Sequence, residues 1–294
     1  MKVAIFGQYY QNDTRPIIRD IFVFFNANNV EMIIEEDFLK ILYENEIVKK
    51  EYKTFNSYKC LDSSFDILVS IGGDGTILRA ATYIRDSGVP IIGINAGRLG
   101  FLAKVQKENI EIFLQLVLEK KYTISKRTLL SLSCSPDNDQ INELNFAMNE
   151  VTVSRKDTTS MITIETYLND EYLNSYWADG LIISTPTGPT GYSLSCGGPI
   201  LTPAVKGLVI TPIAPHNLNA RPLVIPDDTI IKLKVSGRED QYLVSLDSRI
   251  ATLDNNSILT IKKTPFQINM VEITEESFFK TLRSKLLWGE DKRN

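Results

Sequence analysis

The sequence predicts an α/β N-terminal domain built on a parallel sheet, then an all-β C-terminal domain, with a C-terminal helix that returns to the first. Three observations predict it. In the first 125 or so residues, near-continuous apolar runs alternate with helical segments, the pattern of parallel strands covered on both faces. From about Tyr122 the texture changes to short β-branched runs separated by turn residues. The last 20 residues revert to helical spacing.

Taken in order, "KVAIF" (Lys2 to Phe6) is a short buried strand. "RPIIRDIFVFFNANN" places Ile17, Ile18, Ile21, Phe22 and Phe25 on one helical face. "FDILVSI" (Phe65 to Ile71) is a second buried strand, "TILRAATYIRDSG" a helix ending at Gly88, "VPIIGIN" (Val89 to Asn95) a third strand and "ENIEIFLQLVLEKK" another helix. This half reads as Rossmann-like. The β half is carried by "NEVTVSR", "SMITIETYL", "DGLIISTPTG", "GLVITPIAP", "TIIKLKVSG", "QYLVSLDS" and "SILTIKK". In the closing "EESFFKTLRSKLLWGE", Phe278, Phe279, Leu282 and Leu286 share a stripe expected to pack back on the first domain. The expected boundaries are 1–125 joined by 268–294, and 126–267.

Composition narrows the function classes. The 294 residues are 43% hydrophobic and 23% charged, with a formal net charge of −4, which argues against a general nucleic-acid surface. Cys60, Cys134 and Cys196 are far apart, as in a reduced cytosolic protein. The apolar run near the start is too short for a secretory leader, and no segment has the roughly 18 apolar residues of a membrane span. A cytoplasmic protein without a nucleic-acid or membrane partner is expected. The single histidine, His216, stands in a proline-rich loop and reads as structural or surface; having one histidine disfavours Ser-His-Asp and multi-histidine metal chemistry.

The chemistry concentrates in "LVSIGGDGTILRAA" (Leu68 to Ala81), where a strand hands over to a helix. Glycines there let an anion approach backbone N–H groups at the helix start, which makes Gly72, Gly73 and Thr76 phosphate candidates. "GINAGRLGFLAK" (Gly93 to Lys104) is a second glycine-rich strand exit, with Arg98 and Lys104 as possible phosphate partners. Asp74 is the odd member. A carboxylate beside phosphate repels it unless it binds a metal, accepts a hydroxyl hydrogen bond or takes a proton; the alternative is a turn aspartate capping the next helix. "WADGLIISTPTGPTGYSLSCGGP" (Trp177 to Pro199) has the length and hydroxyl content to surround a ribose or adenine, or is a long turn of the β domain. Within it Tyr192 either stacks on a base or fills the core. Asn149 and Glu150 form a third candidate pair, whose alternative is an ordinary polar strand entry.

These motifs in this order resemble the NAD kinases, which phosphorylate the 2′-hydroxyl of the adenosine ribose of NAD. The resemblance rests on GGDGT at Gly72–Thr76, "NE" at Asn149–Glu150, "DGLIISTPTGPTGYSLSCGGP" at Asp179–Pro199 and "TPIAPHNLNARPLVIP" at Thr211–Pro226. It implies a cleft between the domains in which Asp74 accepts the proton of the NAD 2′-hydroxyl, backed by Gly75. Arg79 contacts the dinucleotide, and Asn149 and Glu150 hold hydroxyl or amine groups of ribose and adenine. Asp179, Thr190, Gly191, Tyr192, Ser193, Leu194 and Ser195 line the pocket, with Ala214 at its far wall. The resemblance further implies NAD and ATP as partners, a divalent cation (Mg2+) with ATP but no assignable protein ligand for it, and a homo-oligomer, dimer or tetramer. The sequence departs from the common pattern at Pro189, where many members have serine, at Gly191, where many have alanine, and in "WADG", which lacks a basic residue some relatives carry. A lipid kinase sharing GGDGT and a non-catalytic NAD sensor are the competing classes, separated by ATP-dependent turnover of NAD.

Overall fold

Apolar strands buried on both faces need helices above and below, and the N-terminal half supplies them in alternation. The computed structural model describes residues 1–8, 14–97, 99–157, 160–217, 219–273 and 277–287. Two compact units are formed, Met1–Lys126 with Ile268–Asn294, and Arg127–Gln267.

In the first unit the order is β1 (Lys2–Gly7), α1 (Thr14–Ala27), β2 (Glu31–Glu35), α2 (Glu36–Glu44), β3 (Lys53–Phe55), β4 (Ile67–Gly72), α3 (Asp74–Ile84), β5 (Ile91–Asn95), α4 (Ile110–Leu118) and β6 (Thr123–Arg127). The segment from Glu31 to Phe55 has no counterpart among the elements expected from sequence, because its strands are short, with three apolar residues in β2 and one in β3. In α1, Ile17, Ile18, Ile21, Phe22 and Phe25 are buried, the face that the 3.6-residue period selects. They pack with Val3, Ile5, Val69 and Ile92 in one core.

The second unit contains β7 (Leu130–Ser135), α5 (Asp139–Asn142), β8 (Phe146–Ala147), β9 (Glu150–Arg155), β10 (Ile162–Leu168), β11 (Glu171–Ala178), β12 (Gly180–Ser184), α6 (Tyr192–Ser195), β13 (Gly207–Ile213), β14 (Leu223–Pro226), β15 (Ile231–Gly237), β16 (Gln241–Leu246), β17 (Arg249–Asp254) and β18 (Ile258–Lys263). The chain then re-enters the first unit with β19 (Ile268–Glu272) and α7 (Phe278–Leu286).

The first sheet runs β3-β2-β1-β4-β5-β19-β6, and β1, β2, β3, β4, β5 and β19 pair in parallel. The chain steps outward from β1 to β3, then crosses back to lay β4 against β1. Parallel sheets of this kind bind ligands outside the carboxyl ends of the strands at such a reversal. Gly72 and Asp74 follow from that end of β4. The second unit is two antiparallel sheets, β11-β10-β15-β18-β7-β8 and β14-β13-β12-β9-β16-β17, over a shared core that includes Val153, Ile164, Leu181, Tyr242 and Leu259. Half-buried strands such as β10 and β16 alternate in burial, whereas β12 and β13 are buried throughout.

Helix α7 docks on the first unit by the expected stripe, from which Phe279 alone departs. Thr281 and Leu282 are buried, Phe278 sits 6.1 Å from the Phe101 ring, and Phe279 is 57% exposed. Phe279 lies one residue, about 100°, around the helix from Phe278 and so leaves the packed face. No helix among the described residues is long and apolar enough to cross a membrane.

Phe25 is fully buried between α1 and the sheet. Phe25→Ala should cost about 3–5 kcal/mol of unfolding free energy, measured by denaturant titration; a loss below about 1 kcal/mol would mean that this face is not the core.

Candidate functional site

Gly72 ends β4 at φ +153, a region L side chains avoid, and a Cβ there would collide with the Thr76 side chain. Thr76 is 1% exposed; its Oγ1 accepts from Gly73 N–H at 3.3 Å and donates to Gln8 Oε1 at 3.0 Å. The turn is thereby closed from inside, and the Thr76 hydroxyl is committed to it rather than to the surface. Gly73 and Gly75 face open space, where an anion can approach the start of α3.

Asp74 is the first residue of α3, and its carboxylate is caught by the loop after β5. Oδ2 accepts from Phe101 N–H at 2.8 Å, and Oδ1 accepts from Leu102 and Ala103 N–H, each at 3.0 Å. Three successive N–H groups form a concave anion seat. Gly100 makes room for it, since a Cβ there would collide with Asp74 Oδ1. Two of the four lone-pair directions of the carboxylate are filled on Oδ1 and one on Oδ2, so Oδ2 keeps one for another donor. Arg79, exposed on α3, lies with its guanidinium 5.6 Å from the Phe6 ring centroid. Lys104 is paired with Glu272 at 3.1 Å and is 11% exposed. Arg98 lies outside the described residues.

In the second unit Asn149 and Glu150 stand at the entry to β9. Their backbone is fully engaged. Asp247, in the turn between β16 and β17, accepts from Met148 N–H at 2.9 Å, Asn149 N–H at 2.8 Å and Glu150 N–H at 3.2 Å. Thr185 N–H donates to Asn149 O at 2.9 Å, and Thr185 Oγ1 donates to Met148 O at 2.6 Å. Their side chains are not engaged: Asn149 Oδ1 and Glu150 Oε2 are buried without a hydrogen-bond partner among the described residues. An unsatisfied buried acceptor costs about 1–3 kcal/mol, so two side by side mark a place prepared for donors of another molecule. Burial, then the charge of Asp247, push the Glu150 carboxyl up to about 8. Asp247 is also pushed up by burial, against the pull of its three N–H partners and Arg249.

The Thr/Ser-rich segment folds over this pair. A Cβ at Gly191 would lie 3.5 Å from Glu150 Oε2 and 3.8 Å from Asn149 Nδ2. Glycine at this position leaves the space above both side chains free. Thr190 Oγ1 donates to Thr187 O at 3.4 Å. Ser193 is fully buried and shares a 2.8 Å hydrogen bond with the Thr211 hydroxyl, so it braces the segment. Tyr192 is 47% exposed, and Ser195 is also exposed; Leu194 is partly buried. Tyr192 therefore does not fill the core; burial, Cys196 and Asp179 push its hydroxyl up. Asp179 pairs with Arg155 at 3.0 Å, and its N–H donates to Ile213 O at 3.0 Å. Ala214, the next residue, is exposed and held at φ +44, a conformation that costs a non-glycine residue about 1 kcal/mol or more. The His216 ring lies 4.6 Å from that of Trp177, centroid to centroid, tilted by 57°.

Asp247, Gly100 and the N–H groups of residues 101–103 were not among the residues expected from sequence. In "SLDSR" an aspartate between two strands reads only as a turn residue.

Two family models match the chain: the ATP-NAD kinase N-terminal domain over residues 3–122 and the ATP-NAD kinase C-terminal domain over residues 148–273. A curated relative, the NAD kinase of Flavobacterium johnsoniae, is 76% identical over 294 residues, covering 100% of both chains. The crystal structure of an NAD kinase from Archaeoglobus fulgidus in complex with ATP is similar at a TM-score of 0.75 and 26% identity, over 98% of this chain and 99% of that one. Yeast NADH kinase complexed with NADH shares the fold at a TM-score of 0.88 and 23% identity, over 99% of this chain and 88% of that one.

The folded value of Glu150 lies above its ordinary 4.5, so the stability of the neutral acid is complete below pH 4.5 and is lost as pH rises toward about 8. Glu150→Gln, which cannot ionise, should gain in melting temperature over the native chain as pH is raised from about 5 to about 8. Melting curves at the two pH values check this, and a difference that does not grow with pH contradicts a buried neutral acid.

Proposed function

We propose a role for each of these groups from one premise: this chain belongs to the ATP-NAD kinase family and is an NAD kinase, a phosphotransferase. It transfers the γ-phosphate of ATP to the 2′-hydroxyl of the adenosine ribose of NAD, giving NADP and ADP. The observation that carries the assignment of the base is the seat of Asp74, which fixes one carboxylate with one acceptor direction to spare at the glycine-rich end of β4. Asp74 Oδ2 accepts the 2′-hydroxyl proton as the ribose oxygen bonds to the γ-phosphorus. The bond from that phosphorus to the bridging oxygen of ADP breaks, and Asp74 returns its proton to solvent. Phosphoryl transfer has a loose transition state, so positioning and charge neutralisation supply most of the acceleration.

Gly73 and Gly75 leave the start of α3 open to phosphate, Gly72 and Thr76 hold that turn in shape, and Arg79 and Arg98 contribute positive charge to the dinucleotide and the phosphates. Asn149 Oδ1 and Glu150 Oε2 accept hydrogen bonds from hydroxyl and amine groups of the adenosine. Asp179, Thr190, Gly191, Tyr192, Leu194, Ser195 and Ala214 shape the rest of the NAD pocket, with Ser193 supporting them from within. Glycine at 191 widens the space over Asn149 and Glu150. Mg2+ keeps several waters and binds through substrate phosphates with one or two carboxylates at most, so the divalent cation enters as part of the ATP substrate. The reading is completed by a homo-oligomer acting in the cytoplasm on NAD and ATP, without a nucleic-acid or membrane partner. The net charge of −4 supports the exclusion of nucleic acid.

A coupled assay with ATP, magnesium and NAD, read through an NADP-specific dehydrogenase, tests the reaction and its base together. Asp74→Asn should keep its affinity for NAD and lose about 10²–10⁴-fold in kcat, with a lower melting temperature because its amide meets a backbone N–H that needs an acceptor. Near-native turnover in that variant would reject the role. Gly100→Ala drives a methyl into the carboxylate seat and should lower kcat by about 10²-fold, the effect of roughly 1 Å of misplacement. An unchanged kcat would show that the seat does not set the position of the base.

A further inference from the structure

A second carboxylate is seated in the same manner as Asp74, and the reaction does not use it. Asp247 adopts φ +54 in the turn between β16 and β17, a left-handed conformation that aspartate tolerates better than most residues. An aspartate in such a turn ordinarily hydrogen-bonds its own backbone two residues on. Asp247 instead gives both oxygens to the N–H groups of Met148, Asn149 and Glu150, which are 97 to 99 residues away in the chain. Its own N–H donates back to Glu150 O at 3.0 Å. Thr185 holds the carbonyls of Met148 and Asn149 from the other side. The backbone of residues 148–150 is thus clamped on both its N–H and its C=O sides, while Asn149 Oδ1 and Glu150 Oε2 stay unpartnered among the described residues. Placing a second carboxylate next to buried Glu150 is electrostatically unfavourable, and a neutral turn residue would avoid it. The gain is a backbone that cannot rotate beneath two side chains that need a ligand.

We propose that Asp247 is a positioning residue for NAD recognition, locking the backbone of residues 148–150 so that the side chains of Asn149 and Glu150 are aimed at the dinucleotide. The proposal rests on the reading that Asn149 and Glu150 hold NAD. Removing the clamp leaves both side chains in place chemically but lets their backbone move, so the effect falls on NAD and not on ATP.

The test is a double-mutant cycle on the full-length enzyme, with NAD affinity measured by calorimetry and KM measured separately for NAD and ATP. Asp247→Asn puts an amide where one of the three N–H groups needs an acceptor. It should weaken NAD binding by about 10–100-fold, the loss of one hydrogen bond to a charged group, and leave the KM for ATP within about twofold. Asp247→Ser, which keeps one acceptor oxygen, is carried in parallel and should show the same split if the asparagine variant does not fold. In a background of Asn149→Ala with Glu150→Gln, Asp247→Asn should have little further effect on NAD, because the groups it aims are gone. A fall in melting temperature with unchanged NAD affinity in both Asp247 variants would overturn the proposal, as would equal losses for NAD and ATP. If Asn149→Ala with Glu150→Gln itself leaves NAD affinity unchanged, the reading of that pair fails; if it weakens binding and the Asp247 variants do not, the positioning role alone fails.

Discussion

The three hydrogen bonds that Phe101, Leu102 and Ala103 make to Asp74 join the end of β4 to the loop after β5, and the surrounding turn is shaped to permit them. Gly100 is bare so that the loop can close on the carboxylate, and Gly72 takes a backbone angle that brings Asp74 to the head of α3. Hydrogen bonds to a charged group contribute about 1.5–3 kcal/mol each, so the seat is also a fastening between neighbouring loops. A concavity of successive N–H groups commonly receives a phosphate. Here the protein fills it with its own side chain. The negative charge of Asp74 is balanced by amide dipoles that are already oriented, and one acceptor direction on Oδ2 stays open.

The second unit solves a related problem with the opposite outcome. At Asp247 the seat satisfies a buried carboxylate, and the neighbouring acceptors of Asn149 and Glu150 are left unsatisfied. Buried acceptors without partners among the described residues cost stability, and the positive φ of Ala214 is a further small cost. The compensation lies in the core beneath, where β12 and β13 are buried along their whole length.

Much of this was legible in the sequence wherever the signal was local. The buried face of α1 follows from a period of 3.6, the parallel strands from continuous apolar runs and the second unit from short β-branched runs. GGDGT stood out because a glycine-rich strand exit can admit an anion, and the Asn149–Glu150 pair, which alone reads equally as a polar strand entry, gained weight from the resemblance to the NAD kinases. The rest was hidden for two physical reasons. The stretch from Glu31 to Phe55 is a strand, a helix and a strand, with three apolar residues in the first strand and one in the last. The two carboxylate seats join residues 27 to 29 and 97 to 99 positions apart, and no local pattern records which amides a turn aspartate will meet. Asp247 looks like any hairpin aspartate until the chain is folded.

The order of strands in the first sheet bears on how the chain can be made. β6 reaches the sheet only by way of β19, which is separated from β5 by more than 170 residues of chain, the whole of the second unit among them. While the chain leaves the ribosome, β1 to β5 have emerged long before the strand that covers their edge exists. The later unit, unbroken from Arg127 to Gln267, has its whole sequence available first. Domains generally mature from the N-terminus during synthesis. In this protein that order is inverted: the unit that begins the chain is the last that can be finished, and until β19 emerges the Ile91 end of β5, beyond the stretch bridged by Val105, presents an open edge that other chains could pair with.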